Sequence, residues 1–294
     1  MRVLVASDAM AGLGPRSASE VIATAFAEQG AQVAVIPLGS GGDALADALS
    51  TIDSAAELVV ASDMDALLGS LVAGESPLYL DLTGLAPVPL AELVAAATPE
   101  VVGRLRREIG GRPVAAVVPD DGADAPLTGL SGMLAELGRR RGAELSETIS
   151  EDTRAEKWAA AIGTDPLAPG AGALGGLGAM VQALGGTVTS GLELCLSAYR
   201  APEVMARADV VVTGTAQLDF HAVGGPVVKR LAQLAEGALR PIVVIAGRTF
   251  VSARELRLAG IEAAYAVLPG AGDDVPSVEQ LAAAAQQVAT TWRW

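Results

Sequence analysis

The residues best placed to do chemistry lie between Ala208 and Pro226, in A-D-V-V-V-T-G-T-A-Q-L-D-F-H-A-V-G-G-P. An amide (Gln217), an acid (Asp219) and the chain's one histidine (His221) are followed there by two glycines. His221, so near Asp219, could orient a substrate or act as a general base. Two further aspartates have a similar setting: Asp8 follows R-V-L-V-A-S, and Asp43 follows Gly39-Ser40-Gly41-Gly42. An aspartate at a strand–loop junction has a purely structural use as well, capping local N–H groups. A third acidic stretch, Asp120-Asp121-Gly122-Ala123-Asp124, is either a solvated turn or a carboxylate set for Mg²⁺.

These groups need elements to hold them. The valines at 210–212 suit a parallel strand covered on both faces, spanning Asp209–Thr213. The strand is predicted to break at Thr213-Gly214, giving a polar loop from Thr215 to Gly225. Ligands of open α/β sheets sit at the carboxyl ends of strands, so the site is sought there. Arg2–Ser7 and Gln32–Pro37 read as strands that each run through a Gly-bearing loop into a helix. Such helix N-termini suit anions. The first helix is predicted to start near Ser17, where S-A-S-E has the capping-box form, with Arg16 just before it. The second helix covers Ala44–Leu49.

Further strands are predicted at Leu58–Ala61, Leu78–Leu82, Val114–Val118, Pro241–Ala246 and Ala263–Leu268. Helices are predicted over Leu90–Ala97, Pro99–Ile109, Leu130–Arg141, Asp152–Ile162, Val227–Ala235, Ser252–Ala259 and Val278–Thr290. The alternation of strand and helix at both ends implies one doubly wound parallel sheet. The expected division is one α/β domain made of 1–54 and 197–294, with a second α/β domain inserted over 55–196.

The segment Gly170–Gly178 contains G-x-G-x-x-G. Its dinucleotide reading fails because Pro166 and Pro169 precede it where a buried strand is required. What remains is a helix starting near Leu174, its glycines serving either anion binding or close packing. Pro166–Leu192 carries no charge, but its eight glycines and two prolines make a poor membrane span.

Composition narrows the function classes. The 294 residues carry a net charge of −14, and only Lys157 and Lys229 among the 20 basic residues are lysines. No basic face beyond Arg139-Arg140-Arg141 offers itself to nucleic acid. With a single cysteine, Cys195, no internal disulfide forms. The expectation is a cytoplasmic protein with neither a nucleic-acid nor a membrane partner; a homodimer stays open.

In this order the blocks resemble the bacterial glycerate kinase family, which implies a flavodoxin-like domain with an inserted second α/β domain. The matching pieces are Asp8, Pro37–Asp43, Asp81-Leu82-Thr83-Gly84-Leu85, Gly170–Gly178, Gly191-Leu192-Glu193, Ala208–Gly214, Leu218-Asp219 and Ile245-Ala246-Gly247. The resemblance implies transfer of a phosphoryl group from ATP, with Mg²⁺, to a hydroxyl of D-glycerate. It implies Asp8 and Asp219 as catalytic residues and Asp43 and Asp219 as metal ligands. Gly41, Gly42, Asp43, Gly172, Gly175, Gly176, Thr213, Gly214, Gln217 and Arg16 would bind substrate or phosphate. The chain also departs from the family. The lysine of the family's D-S-F-K-G-S loop is Ala11 here, and G-E-G-R-L-D becomes Gly214-Thr215-Ala216-Gln217-Leu218-Asp219. A lysine before the following helix is replaced at Gly224 or Gly225. The alternative is therefore a family member without catalysis that binds a small metabolite or a protein. Arg16 and Lys229 are the replacement cations in the first reading.

Overall fold

The computed structural model describes residues 1–52, 56–219, 221 and 223–293. The domain boundary expected at 54–55 falls outside them. In chain order the elements begin β1 (Arg2–Ser7), α1 (Pro15–Glu28), β2 (Gln32–Pro37), α2 (Gly42–Leu49), β3 (Glu57–Val60), α3 (Met64–Val72) and β4 (Leu78–Asp81). Then come α4 (Leu90–Ala96), α5 (Pro99–Ile109), β5 (Val114–Val118), α6 (Asp120–Ala123), α7 (Met133–Arg141), α8 (Leu145–Ile162), α9 (Leu177–Ala183) and β6 (Thr187–Ser190). The chain closes with α10 (Gly191–Ala198), α11 (Ala201–Arg207), β7 (Val210–Leu218), α12 (Gly225–Gly237), β8 (Ile242–Thr249), α13 (Ala253–Leu258), β9 (Ala263–Ala266) and α14 (Val278–Thr291).

Two all-parallel sheets result. One has the order β2-β1-β7-β8-β9 and the other β3-β4-β5-β6. Counted within its own sheet the first is 2-1-3-4-5, the flavodoxin-like doubly wound order. The chain divides into two compact units, 1–39 with 43–52 and 195–294, and 40–42 with 53–194.

In the first unit the central strands are apolar on both faces. Val3, Val5, Val210, Val212, Val243 and Ile245 pack with Ile22, Phe26, Leu281 and Val288 of the flanking helices α1 and α14. In the second unit the core is built from Leu80, Leu82, Ala116 and Val118, covered by Leu93, Leu105, Trp158, Leu177 and Met180. Trp158 also donates its indole N–H to Ala97 O at 2.9 Å. Among the described residues no helix is long and apolar enough to cross a membrane.

Several local expectations change. Helix α1 starts at Pro15, not Ser17, and the capping box is not formed. Proline is favoured in the first helical turn, and the Asp47 carboxylate accepts the Arg16 N–H at 2.9 Å, capping the helix from outside its own sequence. Leu174 sits in a 3₁₀ turn with φ +52, so α9 begins three residues later than expected. Helix α8 extends back to Leu145. Helices α3, α10 and α11 and strand β6 were not anticipated.

The largest change concerns β7. It does not break at Gly214 but continues to Leu218, because β8 runs beside it to the pairs Gln217↔Arg248 and Leu218↔Thr249. The ladder satisfies the backbone groups that a loop would have left to water.

Candidate active site

In a 2-1-3-4-5 sheet the connections leave β1 and β7 in opposite directions, opening a crevice at their carboxyl ends. The pairing Val5↔Val212 puts Ser7 level with Gly214. The two strands are packed so closely there that a Cβ on Gly214 would lie 2.5 Å from Ser7 Oγ and 2.6 Å from Met10 Sδ. Gly214 is a packing requirement within a strand, and not the turn residue the sequence suggested.

Asp8 is the first residue past β1. Its Oδ1 accepts the Ala9 N–H at 2.6 Å, and the Ser7 hydroxyl donates to its carbonyl at 2.9 Å. Asp219 follows the end of β7. Its Oδ2 accepts the Gln217 Nε2–H at 3.0 Å, and its carbonyl accepts the Val223 N–H at 2.9 Å. Thr215 Oγ1 lies 3.2 Å from Gln217 O and 3.3 Å from Gly224 O, tying the strand end to the approach of α12. At about 3.3 Å per residue, β7 carries Asp219 about 13 Å beyond the level of Asp8. The two carboxylates are thus on one sheet edge at different heights.

The other predicted residues of this unit are dispersed in character. Thr213 is fully buried, and among the described residues its hydroxyl has no hydrogen-bond partner. Asp43 is exposed in the first turn of α2. The Arg16 guanidinium pairs with Glu20 at 3.0 Å, one turn along its own helix. Lys229 is exposed on α12, and His221 is exposed in the turn after Asp219.

Sequence reasoning missed Arg248. It is buried to 8% exposure on β8, opposite Gln217. Its Nη1 donates to the carbonyls of Pro269 and Gly270 at 2.9 and 3.0 Å, and its Nη2 stands 3.5 Å from Asp274. The signal was available: an arginine directly after V-V-I-A-G must either extend the strand or leave it, and the paired β7 extends it.

In the second unit, Gly41 and Gly42 are held against the end of β4. The buried Asp81 carboxylate accepts the Gly42 N–H at 2.6 Å through Oδ2, and the Thr83 N–H and hydroxyl at 2.9 and 2.7 Å through Oδ1. A side chain on Gly41 would strike Thr83. The Gly42 amide, offered by the sequence as an anion donor, is engaged by an internal carboxylate.

The Gly170–Gly178 segment is buried throughout. Added side chains would meet Pro126 O at Gly172, Val88 O at Gly175, and Leu93 and Leu127 at Gly176. The N–H groups of these three bond to Ala125 O, Gly172 O and Ala173 O. Close packing, one of the two readings the sequence left open, is what these glycines show. Asp120 to Ala123 form a short helix. Among the described residues no three Asp, Glu, His or Cys side chains gather as a metal cage.

The sequence profile of the glycerate kinase family matches residues 114–293. The chain belongs to the glycerate kinase family. Among its relatives, the uncharacterized protein Mb2228c of Mycobacterium bovis is 29% identical across 98% of this chain and 91% of its own length. The glycerate 2-kinase of Escherichia coli is 30% identical over 154 residues, 50% of this chain and 40% of that enzyme. The Bacillus subtilis glycerate kinase is 30% identical over 176 residues, 58% of this chain and 45% of its own. A crystal structure assigned as glycerate kinase 2 of Salmonella typhimurium LT2 superposes with a TM-score of 0.65 at 20% identity, over 99% of this chain and 98% of that one. That likeness establishes the glycerate kinase fold over both units.

Proposed function

We propose that the chain is a glycerate kinase-like phosphotransferase, transferring the γ-phosphoryl group of ATP to a hydroxyl of D-glycerate. The observation that carries this reading is the placement of Asp8 and the Gln217–Asp219 pair at the carboxyl ends of adjacent strands in a glycerate kinase family fold. Asp8, beside the crevice between β1 and β7, is the base toward the acceptor hydroxyl. Asp219, further out and oriented by Gln217, faces the nucleotide.

Phosphoryl transfer depends on positioning and on neutralising charge at the transferred group. Magnesium is commonly held by one or two carboxylates together with water and phosphate oxygens. Asp219 fits that role, with exposed Asp43 as the second carboxylate implied by the family; a cage of protein ligands alone does not fit the described residues of this chain. Bound magnesium would supply charge neutralisation at the phosphates.

A second reading is favoured by the cations. Arg16 is paired with Glu20, and Lys229 is exposed on α12, so neither stands ready to replace the family's lysines. On this reading the chain binds a small metabolite or a protein without turnover. Glycerate-dependent ADP release separates the two.

A further inference from the structure

A cavity of about 250 Å³ opens beside the loops that follow β7 and β8, lined by Val223, Val251, Glu255, Leu256, Leu258 and Ala259. Its position follows from the topology. Val251 comes two residues after β8, and Val223 lies on the loop between β7 and α12, so the cavity stands by the carboxyl ends of two adjacent strands. Val223 is joined to the proposed site directly, since its N–H donates to Asp219 O. It also has φ +46, a costly conformation for a β-branched residue and one that concentrates at ligand clamps and active sites. Helix α13, which forms the far wall, has no buried residue of its own. The wall is therefore apolar surface that the fold itself leaves uncovered.

The charge on the rim selects among occupants. Among the described lining residues Glu255 is the charged one. Its carboxylate accepts the Ser252 N–H at 2.6 Å, and this bond holds its pKa below the ordinary carboxylate value. An ionised carboxylate repels phosphate and the carboxylate of glycerate, while it accepts hydrogen bonds from an amine. Apolar walls with an acceptor at the edge suit a flat, neutral heteroaromatic ring with an exocyclic amino group. The volume admits such a ring and not a whole nucleotide.

We infer that this cavity receives the adenine ring of ATP, its apolar walls covering the ring faces and Glu255 accepting from the amino group. The inference rests on the kinase reading for the identity of the nucleotide, and it adds where the base binds. The ribose and phosphates would then lead from Val223 toward Asp219.

The test measures equilibrium binding of Mg·ATP, Mg·ITP and inorganic triphosphate by calorimetry, with ADP release assayed in parallel. The proteins are the wild type, Ala259→Trp, which fills the cavity, and Val251→Phe, which narrows it; circular dichroism establishes folding. The expected result is at least tenfold weaker ATP binding in both folded variants with triphosphate binding unchanged, and weaker ITP than ATP binding by the wild type. Unchanged ATP affinity in the folded variants would overturn the assignment, whether or not the enzyme turns over. So would loss of a dimer in Ala259→Trp at unchanged ATP affinity, which would make this face an interface between two copies. If neither variant folds, Leu258→Glu, at an exposed position, replaces them under the same criterion. Cavity-dependent ATP binding without glycerate-dependent turnover would retain the adenine site and remove the kinase reading. A wild type that binds no ATP would remove both.

Discussion

The buried carboxylate of Asp81 accepts the backbone N–H of Gly42 at 2.6 Å, and its second oxygen holds both the N–H and the hydroxyl of Thr83. One aspartate thus organises the Gly41-Gly42 turn and the end of β4 together. A Gly-Gly-Asp sequence ahead of a helix looks like an anion site, and here the anion at the Gly42 amide is the protein's own.

Asp81→Ala leaves these donors without an acceptor. Hydrogen bonds to a charged group contribute about 1.5–3 kcal/mol each; with water taking over part of the part-buried donors' needs, a loss of at least roughly 3 kcal/mol is expected. Urea unfolding followed through tryptophan fluorescence measures it. A loss below about 0.5 kcal/mol would show that the three bonds are dispensable.

Thr213 gives the opposite sign. Its fully buried hydroxyl has no partner among the described residues, and an unsatisfied buried hydroxyl costs about 1–3 kcal/mol. Thr213→Val keeps the shape and is expected to raise stability by roughly 1 kcal/mol. Since the side chain is closed to solvent, nucleotide binding should not change. A Thr213→Val protein that is destabilised, or that loses nucleotide affinity, would mean the hydroxyl has a partner in the working state.

The Arg2–Asp209 pair gives a pH signature. Arg2 donates its guanidinium N–H at 2.7 Å and its backbone N–H at 2.8 Å to Asp209, holding that carboxyl at about 2. A depressed pKa contributes stability that is present above the unfolded value, about 3.9, and is lost as pH falls through about 2. Wild type and Asp209→Asn should therefore differ in thermal midpoint above pH 4 and converge near pH 2. Parallel pH profiles would contradict the pairing.

Cys195 should be inert. Burial pushes its thiol up to about 11, although the thiol points at Gly39 O. At pH 8 a disulfide-exchange reagent is expected to titrate no thiol in the native protein and one after denaturation. The raised pKa adds stability that is intact below the unfolded value, about 8.5, and lost as pH climbs toward about 11. Rapid native labelling would show that the α10 region opens.

Where periodic apolar residues fix an element, sequence and structure agree. Arg2–Ser7, Gln32–Pro37, Pro99–Ile109 and Val114–Val118 have the bounds expected of them. A doubly wound parallel sheet was legible from strand–helix alternation at both ends, and its flavodoxin-like character from the family resemblance. What could not be read was long-range. Gly214 resembled a strand terminator until β8 supplied partners to Leu218. Ser17 resembled a cap until Asp47 took that place. The glycines between Gly170 and Gly178 resembled a phosphate loop, whereas Val88, Pro126 and Leu127 occupy the space their missing side chains leave. The aspartates at strand ends were visible in sequence because a polar residue after a buried run is local; the separation of Asp8 from Asp219 along β7 was not.

The central claim is catalysis, and ADP release tests it most directly. Purified wild type, Asp8→Ala and Asp219→Ala are assayed with Mg·ATP, with and without D-glycerate. The account predicts glycerate-dependent release by the wild type and a loss of at least about 10²-fold in each variant, the scale of removing one group that stabilises transferred charge. A folded wild type that releases no ADP in response to glycerate would contradict it, and would leave the glycerate kinase fold serving as a binding protein.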